Sequence, residues 1–468
     1  MSSMYALEQI YATLEQIAET SSRNEKEKIL ASVKGKDFCD DFIAVLKWTY
    51  SPKIDFYIKD LKDIEKSGRF SLEYCQTNPN AKHYTQVLAS LSNREVTGNE
   101  ARQLVSDFII SNDVRVGEVF KRIIKRDLRA GISAKTINKV FPNLIYEHPY
   151  MRCSVLDNKT ISKISYPCIS QLKLDGMYVD IVVNNGKVTY MSRKGSILPF
   201  NNEQNDSKLL SFADGYVIQG EALVSGESSG GVEEILTRTE GNGYLNSDEV
   251  DTSIIRFVVW DMIPLADFER KKCTIPYIER LAKIENVYYH INALFLPPSD
   301  TKFLTLAETQ ICKNFDEVVE HFKTVRSEGL EGTVIKNNGA IWKDGTSNDQ
   351  LKFKVIAECE LKVVGFNEGE GKNIGLVGSL ICQSSDGKIE VSVSGFTDSV
   401  RKSITNGIDT LIEEGAIITV KYNDILKKEG EEKLSLFLPR FVKFRLDKND
   451  ADPYEVIRSN LDSFEFSL

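Results

Sequence analysis

Six residues, Gln171-Leu-Lys173-Leu-Asp175-Gly176, place a lysine beside an Asp-Gly turn at the end of a predicted strand. A turn here would leave the lysine amine exposed, and a lysine amine becomes a nucleophile when neighbouring charges or desolvation lower its pKa. The pattern K-x-D-G is weak evidence by itself, because ordinary residue frequencies produce it in roughly one chain in ten of this length. A surface hairpin with a solvated lysine explains an isolated match better.

The match is not isolated, because five further patterns follow it in order. They are Ser192-Arg193-Lys194-Gly195, Gly220-Glu221, Phe257-Val-Val-Trp260-Asp261, Gly329-Leu-Glu331-Gly332-Thr-Val-Ile-Lys336 and Leu351-Lys352-Phe353-Lys354. Together the six resemble the nucleotidyltransferase motif series of ATP-dependent DNA ligases, and related series occur in RNA ligases and mRNA capping enzymes. Residues 119–145 also resemble the end of the helical DNA-binding domain in T-even bacteriophage members of that family, and residues 436–448 resemble the last motif of the ligase OB domain.

The chemistry of such a series is nucleotidyl transfer from ATP. Catalysis at the α-phosphorus consists mainly of positioning and of neutralising negative charge while pyrophosphate leaves. The resemblance implies that Lys173 becomes covalently adenylated and that Lys352 and Lys354 are catalytic contacts to the phosphates. Lysines two positions apart on a strand point to one face, which suits that role, although an exposed strand edge would show the same pattern.

The resemblance also implies which residues bind the nucleotide. Glu221 would bind the ribose, Trp260 would stack on adenine, and Arg193 would contact the phosphate of the nucleotide or of the nick. Tryptophan in an apolar strand is more often a core residue, and Gly220-Glu221 alone would be a plain turn. Glu331 and Glu221 would hold Mg²⁺, which binds phosphates plus one or two carboxylates. The full set implied for the cofactor is Gln171, Leu172, Arg193, Glu221, Trp260, Lys336, Arg445 and Lys448.

Two positions depart from the family pattern. The lysine motif usually runs K-x-D-G-x-R, but position 178 is tyrosine, so one expected guanidinium is missing. Arg152 or Arg193 is a candidate to replace it, or Tyr178 to hydrogen-bond the ribose. The motif usually written D-G-E begins with Gln219. The last motif, Arg445-Leu-Asp447-Lys448, is intact, and its resemblance to the family implies that it orients pyrophosphate during adenylation.

Three regions that differ in their sequence pattern must position these residues. Residues 1–145 show helical spacing, with a capping-box pattern at Thr97 and one helix continuing through Leu128 to Gly131. Residues 146–355 alternate short strands, including 178–183 and 187–192, with helices at 276–287 and 315–328, which indicates an α+β domain. The polar stretch 200–215 is predicted to be a loop.

Residues 356–468 are predicted to hold five strands, at 359–366, 376–383, 388–394, 416–422 and 434–446, and one helix at 398–413. That content suits a small closed barrel such as an OB-fold. The expected architecture is therefore multidomain. It comprises an all-α DNA-binding domain (1–145), an α+β nucleotidyltransferase domain (146–355) and a β-barrel OB-fold domain (356–468).

Positive charge concentrates in residues 115–139, which hold eight lysines and arginines against two acidic residues. A run of charge is usually a solvated helix face, but here the chain as a whole carries a net charge of −9. Such a patch suits phosphate contacts, which are sequence-independent and salt-sensitive. The residues predicted to bind DNA are Arg122, Lys125, Arg126, Arg129, Lys135 and Lys139.

Composition excludes several other classes of protein. No apolar run is long enough to cross a membrane, and the acidic N-terminus does not look like a signal peptide. The eight cysteines include no C-x-x-C pair, which argues against a zinc module. Scattered cysteines fit a reducing compartment, so the expected location is the cytosol of a bacterium or phage-infected cell, with a nuclear location left open.

The predicted function is ATP-dependent sealing of nicks in duplex DNA, with ATP and Mg²⁺ as cofactors and a monomeric enzyme. An RNA ligase or a GTP-using capping enzyme is the nearest alternative, and the basic helical region argues against both. An NAD-dependent ligase is disfavoured because that family carries a four-cysteine zinc module. A non-catalytic DNA-binding protein on a decayed ligase scaffold is a further alternative, which only Tyr178 favours.

Overall fold

The computed structural model describes residues 3–58, 61, 83–227, 233–236, 238–247, 250–293, 303–370, 373–427 and 432–462. Contacts divide the chain into two units. The first contains residues 1–148 and 193–197, and the second contains residues 149–192 and 198–468. In the described ranges, no helix is long and apolar enough to span a membrane.

The first unit is built from helices. Across the described part of residues 3–148 these are α1 (Ser3–Glu19), α2 (Arg23–Ser32), α3 (Cys39–Tyr50), α4 (Tyr84–Ser92), α5 (Gly98–Ile110), α6 (Val114–Ile124) and α7 (Ala134–Val140). One core joins them, since apolar residues at helical spacing, such as Leu7, Ile10 and Leu14 in α1, are fully buried. Ser133 precedes α7 and caps it, because its side chain accepts a hydrogen bond from the backbone N–H of Thr136.

Two details of the helical prediction are wrong. Thr97 precedes α5 but makes no side-chain cap hydrogen bond, so the predicted capping box does not form. Helix α6 ends at Ile124 rather than continuing to Leu128, because Arg126 and Arg129 adopt left-handed backbone angles of φ 57° and 55°. Leu128 is nevertheless fully buried, so the apolar spacing reports its burial in a loop rather than in a helix.

Two sheets form the first part of the second unit. One has the strand order β1-β14-β12-β2-β11, and the other β10-β8-β6-β3-β4-β5 with β7 beside β6. The strands are β1 (Met151–Val155), β2 (Cys168–Leu172), β3 (Met177–Asn184), β4 (Lys187–Ser192), β5 (Ile197–Leu198), β6 (Tyr216–Glu227), β7 (Glu233–Ile235), β8 (Ile255–Pro264), β10 (Leu304–Leu306), β11 (Thr309–Cys312), β12 (Gly332–Asn337) and β14 (Gly345–Lys354). The short strands β9 (Lys272–Cys273) and β13 (Trp342–Lys343) pair with each other.

Helices cover these sheets. They are α8 (Glu203–Ala213), α9 (Arg238–Leu245), α10 (Leu265–Glu269), α11 (Tyr277–Ala293) and α12 (Phe315–Ser327). Helix α8 corrects the predicted loop at 200–215. Its sequence is polar because it buries only a narrow side, through Leu209 and Ala213, and Asn202 caps its first turn. The predicted helices at 276–287 and 315–328 are both present.

The second unit ends in a further five-stranded sheet of order β17-β16-β15-β18-β21. Its strands are β15 (Ala357–Glu368), β16 (Val377–Gln383), β17 (Glu390–Val393), β18 (Ile417–Tyr422) and β21 (Arg440–Phe444), and the hairpin β19 (Asp424–Lys427) and β20 (Leu434–Phe437) lies between the last two in sequence. The predicted strand 434–446 is therefore two strands, separated at Leu438, which has φ 53°. The predicted helix 398–413 is likewise two, α13 (Asp398–Asn406) and α14 (Ile408–Glu413), and α15 (Tyr454–Asp462) follows the sheet.

Candidate active site

Lys173 directly follows β2 and contacts an acidic side chain from the start of β12. Its backbone N–H donates to the carbonyl of Gly332 at 2.8 Å, which ties the turn to the neighbouring strand. Its ammonium group donates a short hydrogen bond to the carboxylate of Glu331 and lies 3.4 Å from the carbonyl of Leu174. Gly332 has φ 145°, and a Cβ there would lie 2.3 Å from the carbonyl oxygen of Phe353, so only glycine allows this approach.

The register of the first sheet places the other motif lysines on the same face. Val334 of β12 lies between Gln171 of β2 and Lys352 of β14, and Gly332 lies opposite Lys354. Because side chains alternate along a strand, Lys352 and Lys354 project to one side. The ammonium of Lys354 is 3.9 Å from Glu331 Oε1. Burial lowers the pKa of Lys354, and the charges of Lys173 and Lys352 lower it further.

Glu221 of β6 holds the turn that follows Lys173. Its Oε2 accepts a 2.7 Å hydrogen bond from the backbone N–H of Gly176. A Cβ on Gly176 would lie 2.7 Å from the carbonyl of Ala222, which explains the glycine after Asp175. Burial raises the pKa of the Glu221 carboxyl to about 7, and the nearby negative charges of Glu331 and Asp175 act in the same direction.

A buried lysine lies at the far end of this face. The ammonium of Lys336 donates to Gln171 Oε1 at 2.7 Å and to the hydroxyl of Tyr277 at 3.0 Å. It also lies over two aromatic rings, 4.3 Å from the centre of Tyr277 and 5.8 Å from that of Trp260. Burial lowers the pKa of Lys336 to about 8. Gln171 completes the cluster by donating to Thr309 Oγ1 at 2.9 Å.

A β-bulge in β8 of the second sheet places the Trp260 ring beside Lys336. The register between β6 and β8 shifts between Gln219 and Gly220, where Gly220 pairs with Val259 and Gln219 with Asp261. The extra residue on β8 is Trp260. As a result Asp261, like Trp260, points away from the apolar layer that contains Val259 and Met262. Two nitrogens of Arg280 donate to the Asp261 carboxylate at 2.8 and 3.0 Å.

Tyr178, which occupies the position of the missing arginine, is engaged within the protein. Its hydroxyl donates to Asp180 Oδ1 at 2.7 Å and accepts from Gln219 Nε2 at 2.6 Å. Its ring packs edge-on against Tyr150 with centres 4.9 Å apart, and lies 6.1 Å from Trp260. Burial and the neighbouring Asp180 carboxylate raise the pKa of Tyr178 well above its ordinary value. The Tyr178 ring therefore packs among aromatic neighbours, and its hydroxyl both donates and accepts a hydrogen bond within the protein.

Four further residues were predicted to bind the nucleotide: Leu172, Arg193, Arg445 and Lys448. Leu172 ends β2 and is half-buried. Arg193 is exposed just after β4, in the segment 193–197 that belongs to the first unit. Arg445 and Lys448 follow β21, and the backbone N–H of Lys448 donates to the carbonyl of Arg445 at 3.1 Å.

The six basic residues predicted to bind DNA fall into two groups. Arg122 is buried, pairing with Glu15 at 2.7 Å and Glu118 at 3.1 Å, and Arg126 donates to the backbone carbonyls of Ser51 and Ile54. These two serve the interior of the helical unit. The other four have exposed side chains: Lys125, Arg129, Lys135 and Lys139, the last of which pairs with Glu27 at 3.0 Å.

Residues 151–354 hold the two sheets and every strand-borne lysine of the site, and they match the family model described as "ATP dependent DNA ligase domain". This region is an ATP-dependent DNA ligase domain. The sequence is 28% identical to the DNA ligases of Enterobacteria phages T4 and T6. The aligned region includes residues 151–354 and covers 95% of this chain and 97% of each relative. The family resemblance inferred from the motifs is confirmed.

Solved structures agree with this ligase fold. The structure titled "Pmar-Lig_PreS3" superposes with a TM-score of 0.69 at 22% identity, covering 93% of this chain and 99% of that one. A second, titled "Pmar-Lig_Pre.", gives a TM-score of 0.68 at 23% identity and covers 94% of this chain.

Several residues that surround the ligase site were not predicted from the sequence. Tyr277 and Arg280 come from α11, and Asp180 from β3, and each contacts a motif residue more than a dozen positions away or on another strand. Asp180 carried one usable signal, a carboxylate inside the otherwise apolar strand Tyr178–Val183. Tyr277 and Arg280 lie in an ordinary amphipathic helix and carried none.

Proposed function

We propose that this chain seals nicks in duplex DNA through a lysyl-AMP formed on Lys173. The observation that carries the proposal is the hydrogen bond between Lys173 and Glu331, at the end of a strand face that also bears Lys352 and Lys354. Glu331 is placed to accept the ammonium proton, which frees a lone pair on Nζ. The two strand lysines are placed to neutralise charge on the phosphates that Nζ attacks.

The reaction would take three steps. First, Lys173 Nζ bonds to the α-phosphorus of ATP, and the bond to pyrophosphate breaks. The AMP group then passes to the 5′-phosphate oxygen at a nick, which releases Nζ. Finally the 3′-hydroxyl oxygen attacks the phosphorus of the 5′-phosphate, AMP leaves, and the phosphodiester is complete. Each step relies mainly on positioning and charge neutralisation by the side chains around Lys173.

Mg²⁺ fits the acidic residues at this site. The described residues contain no cluster of three potential ligands, but Mg²⁺ needs only one or two carboxylates alongside phosphates and water. Glu331 and Glu221 supply two, and they are near enough for the charge of Glu331 to help raise the pKa of the Glu221 carboxyl. When bound, the ion would neutralise charge on the phosphates. We propose that Trp260, with Lys336 and Gln171 behind it, lines the adenine side of the site.

We further propose three domains, with boundaries at 145/146 and 355/356. The final sheet, its hairpin and its helices would form an OB-fold, and the helical region would grip duplex DNA. The DNA contacts would fall to Lys125, Arg129, Lys135 and Lys139, since Arg122 and Arg126 are committed to internal contacts. Binding would be largely sequence-blind and would weaken steeply with salt.

Self-adenylation is the test of this proposal. The protein is stripped of bound AMP with pyrophosphate, incubated with Mg²⁺ and α-labelled ATP or GTP, and examined on a denaturing gel. We expect label from ATP on the parent and on Lys187→Ala, a control lysine at the start of β4, and none on Lys173→Ala. Sealing is then compared on nicked DNA and nicked RNA duplexes. An unlabelled parent would overturn the mechanism, and a preference for GTP or for RNA would indicate a capping enzyme or an RNA ligase.

A further inference from the structure

Glu360 is a buried carboxylate in the middle of β15. It is 7% exposed and lies directly opposite Thr419 of β18, whose hydroxyl donates to Oε1 at 3.1 Å. Its backbone is fixed on the other side, because its N–H donates to Asp452 Oδ2 and its carbonyl accepts from the Asp452 N–H, both at 2.8 Å. Its second oxygen, Oε2, is buried without a hydrogen-bond partner among the described residues.

A carboxylate in this environment does not favour folding. Burying a charge is costly even when it is paired, and replacing a buried ion pair with apolar side chains is often neutral or stabilising. Cys359 and Leu361 point to the opposite face of β15, and the neighbours of Glu360 on its own face, Glu358 and Lys362, are exposed, so Glu360 is the buried residue of an otherwise exposed row. Stability therefore does not explain a carboxylate at this position, whereas its contact with another charged side chain does.

What Glu360 holds is Arg445. The Nη1 group of Arg445 donates to Glu360 Oε1, while its Nε and Nη2 groups donate to Asp447 at 2.8 and 2.7 Å. These three bonds use three of the five N–H groups of a guanidinium, and two are left to grip an anion. The two carboxylates differ in rigidity. The Asp447 side chain is 68% exposed, whereas that of Glu360 is 9% exposed and anchored on both sides.

We propose that Glu360 is a positioning residue for Arg445, and that it orients the two remaining N–H groups toward the departing pyrophosphate during adenylation of Lys173. This inference rests on the proposed function and on the family resemblance, which implies that the last motif orients pyrophosphate during adenylation. Asp447 sets the plane of the guanidinium through two parallel bonds, but it is itself exposed. Glu360 adds a third bond from a buried and anchored side chain, and so ties the fork to β15.

The proposal confines the role of Glu360 to one step. Pyrophosphate is released only when the Nζ–phosphorus bond forms, and it returns only in the reverse reaction, in which it removes AMP from Lys173 as ATP. A nick that already carries AMP on its 5′-phosphate is sealed without pyrophosphate. Loss of Glu360 should therefore slow reactions with ATP and with pyrophosphate, and leave the sealing of adenylated nicks unchanged.

The test compares Glu360→Gln with Glu358→Gln in the full-length protein. Glu358 lies on the same strand, but it is exposed and pairs with Lys421 at 3.2 Å. We measure three rates: self-adenylation from labelled ATP, removal of AMP by added pyrophosphate, and sealing of a chemically adenylated nick. For Glu360→Gln we expect the first two to fall by about 10- to 100-fold, because misplaced groups cost that much, and the third to stay within a factor of about two.

The alternatives give different patterns. An equal fall in all three rates would show that Glu360 is merely structural, and three unchanged rates would show that Arg445 needs no positioning. Either would overturn the inference. Thr419→Val, which removes only the hydroxyl donor to Glu360, should give the same pattern more weakly, and it keeps the test decisive if Glu360→Gln does not fold. A parent that never adenylates would overturn the proposed function instead.

Discussion

The basic segment 115–139 of the helical unit and the lysine-bearing face of the first sheet both collect positive side chains, but they differ in how far water reaches them. Lys125, Arg129 and Lys135 are exposed. On the sheet, Lys336 is 4% exposed, and Lys173 and Lys354 share one carboxylate. A count of charges along the sequence does not separate these two situations, and their chemistry depends on the difference.

Carboxylates in the two regions show this difference most directly. In the helical unit, a hydrogen bond from Lys139 lowers the pKa of Glu27, which is the usual effect of a cation on a partly exposed acid. In the ligase domain, burial raises the pKa of Glu221 to about 7 although Lys173 is near. Desolvation outweighs attraction in the second case. The comparison predicts that substitutions in the ligase domain change reactivity, whereas those on the helical surface change only DNA affinity.

The largest effect should come from Glu331→Gln. This change removes the carboxylate shared by Lys173 and Lys354, together with one proposed metal ligand, and it leaves the amines without a counter-charge. We expect the rate of self-adenylation to fall by about 100-fold or more. Glu328→Gln, an exposed substitution at the end of α12, is the control and should adenylate at the parental rate. Similar rates for the two variants would remove Glu331 from the mechanism.

The next effect is a dependence of stability on pH. The pKa of Glu221 is about 7 in the folded protein against an ordinary 4.5. Between these values the unfolded chain releases the proton and the folded chain retains it, so Glu221 makes stability fall as pH rises from about 4.5 to 7. We expect Glu221→Gln to remove this contribution in urea unfolding with chelator present. An identical pH profile for parent and variant would contradict the burial argument.

The smallest effects compare two neighbouring cations of the helical unit. Arg122→Met removes one partner from Glu15 and from Glu118, but Glu118 keeps Lys121 at 2.9 Å and both carboxylates reach water. We therefore expect a loss of about 1–2 kcal/mol in unfolding free energy rather than the roughly 3–5 kcal/mol typical of fully buried pairs. Lys125→Met should stay within about 0.5 kcal/mol of the parent. It should instead weaken DNA binding and reduce the slope of log affinity against log salt by about 0.9. Reversed outcomes would mean that the two residues exchange roles.

Much of the fold followed from local pattern. Strand 187–192 was predicted with its observed bounds, because its apolar residues alternate, and Val188 and Tyr190 are buried. The order of the motifs also placed Lys173, Glu331, Lys352 and Lys354 in one site, where the structure brings them together. The predictions were wrong where few apolar residues are needed, as in α8, or where backbone angles outweigh apolar spacing, as after Ile124.

The supporting residues could not be predicted in the same way. Tyr277 and Glu360 act on motif residues through contacts that span 106 and 85 positions of sequence, respectively. No local spacing encodes such a pair, since it depends on which strands become neighbours. Tyr178 shows a related limit. The sequence showed a missing arginine, but only the structure showed its hydroxyl bound to Asp180 and Gln219.

The bulge at Trp260 has a consequence for how this strand can vary. It shifts the alternation of β8 by one residue, so that Trp260 and Asp261 both point away from the apolar core although they are consecutive. Without the bulge, an unbroken alternation continuing from Val259 would turn the Asp261 carboxylate into the apolar layer and turn Met262 out of it. Arg280 would lose its partner in the same event. The bulge therefore sets which side chains lie on each face of β8, and its loss would disturb the surroundings of Trp260 and the apolar core together.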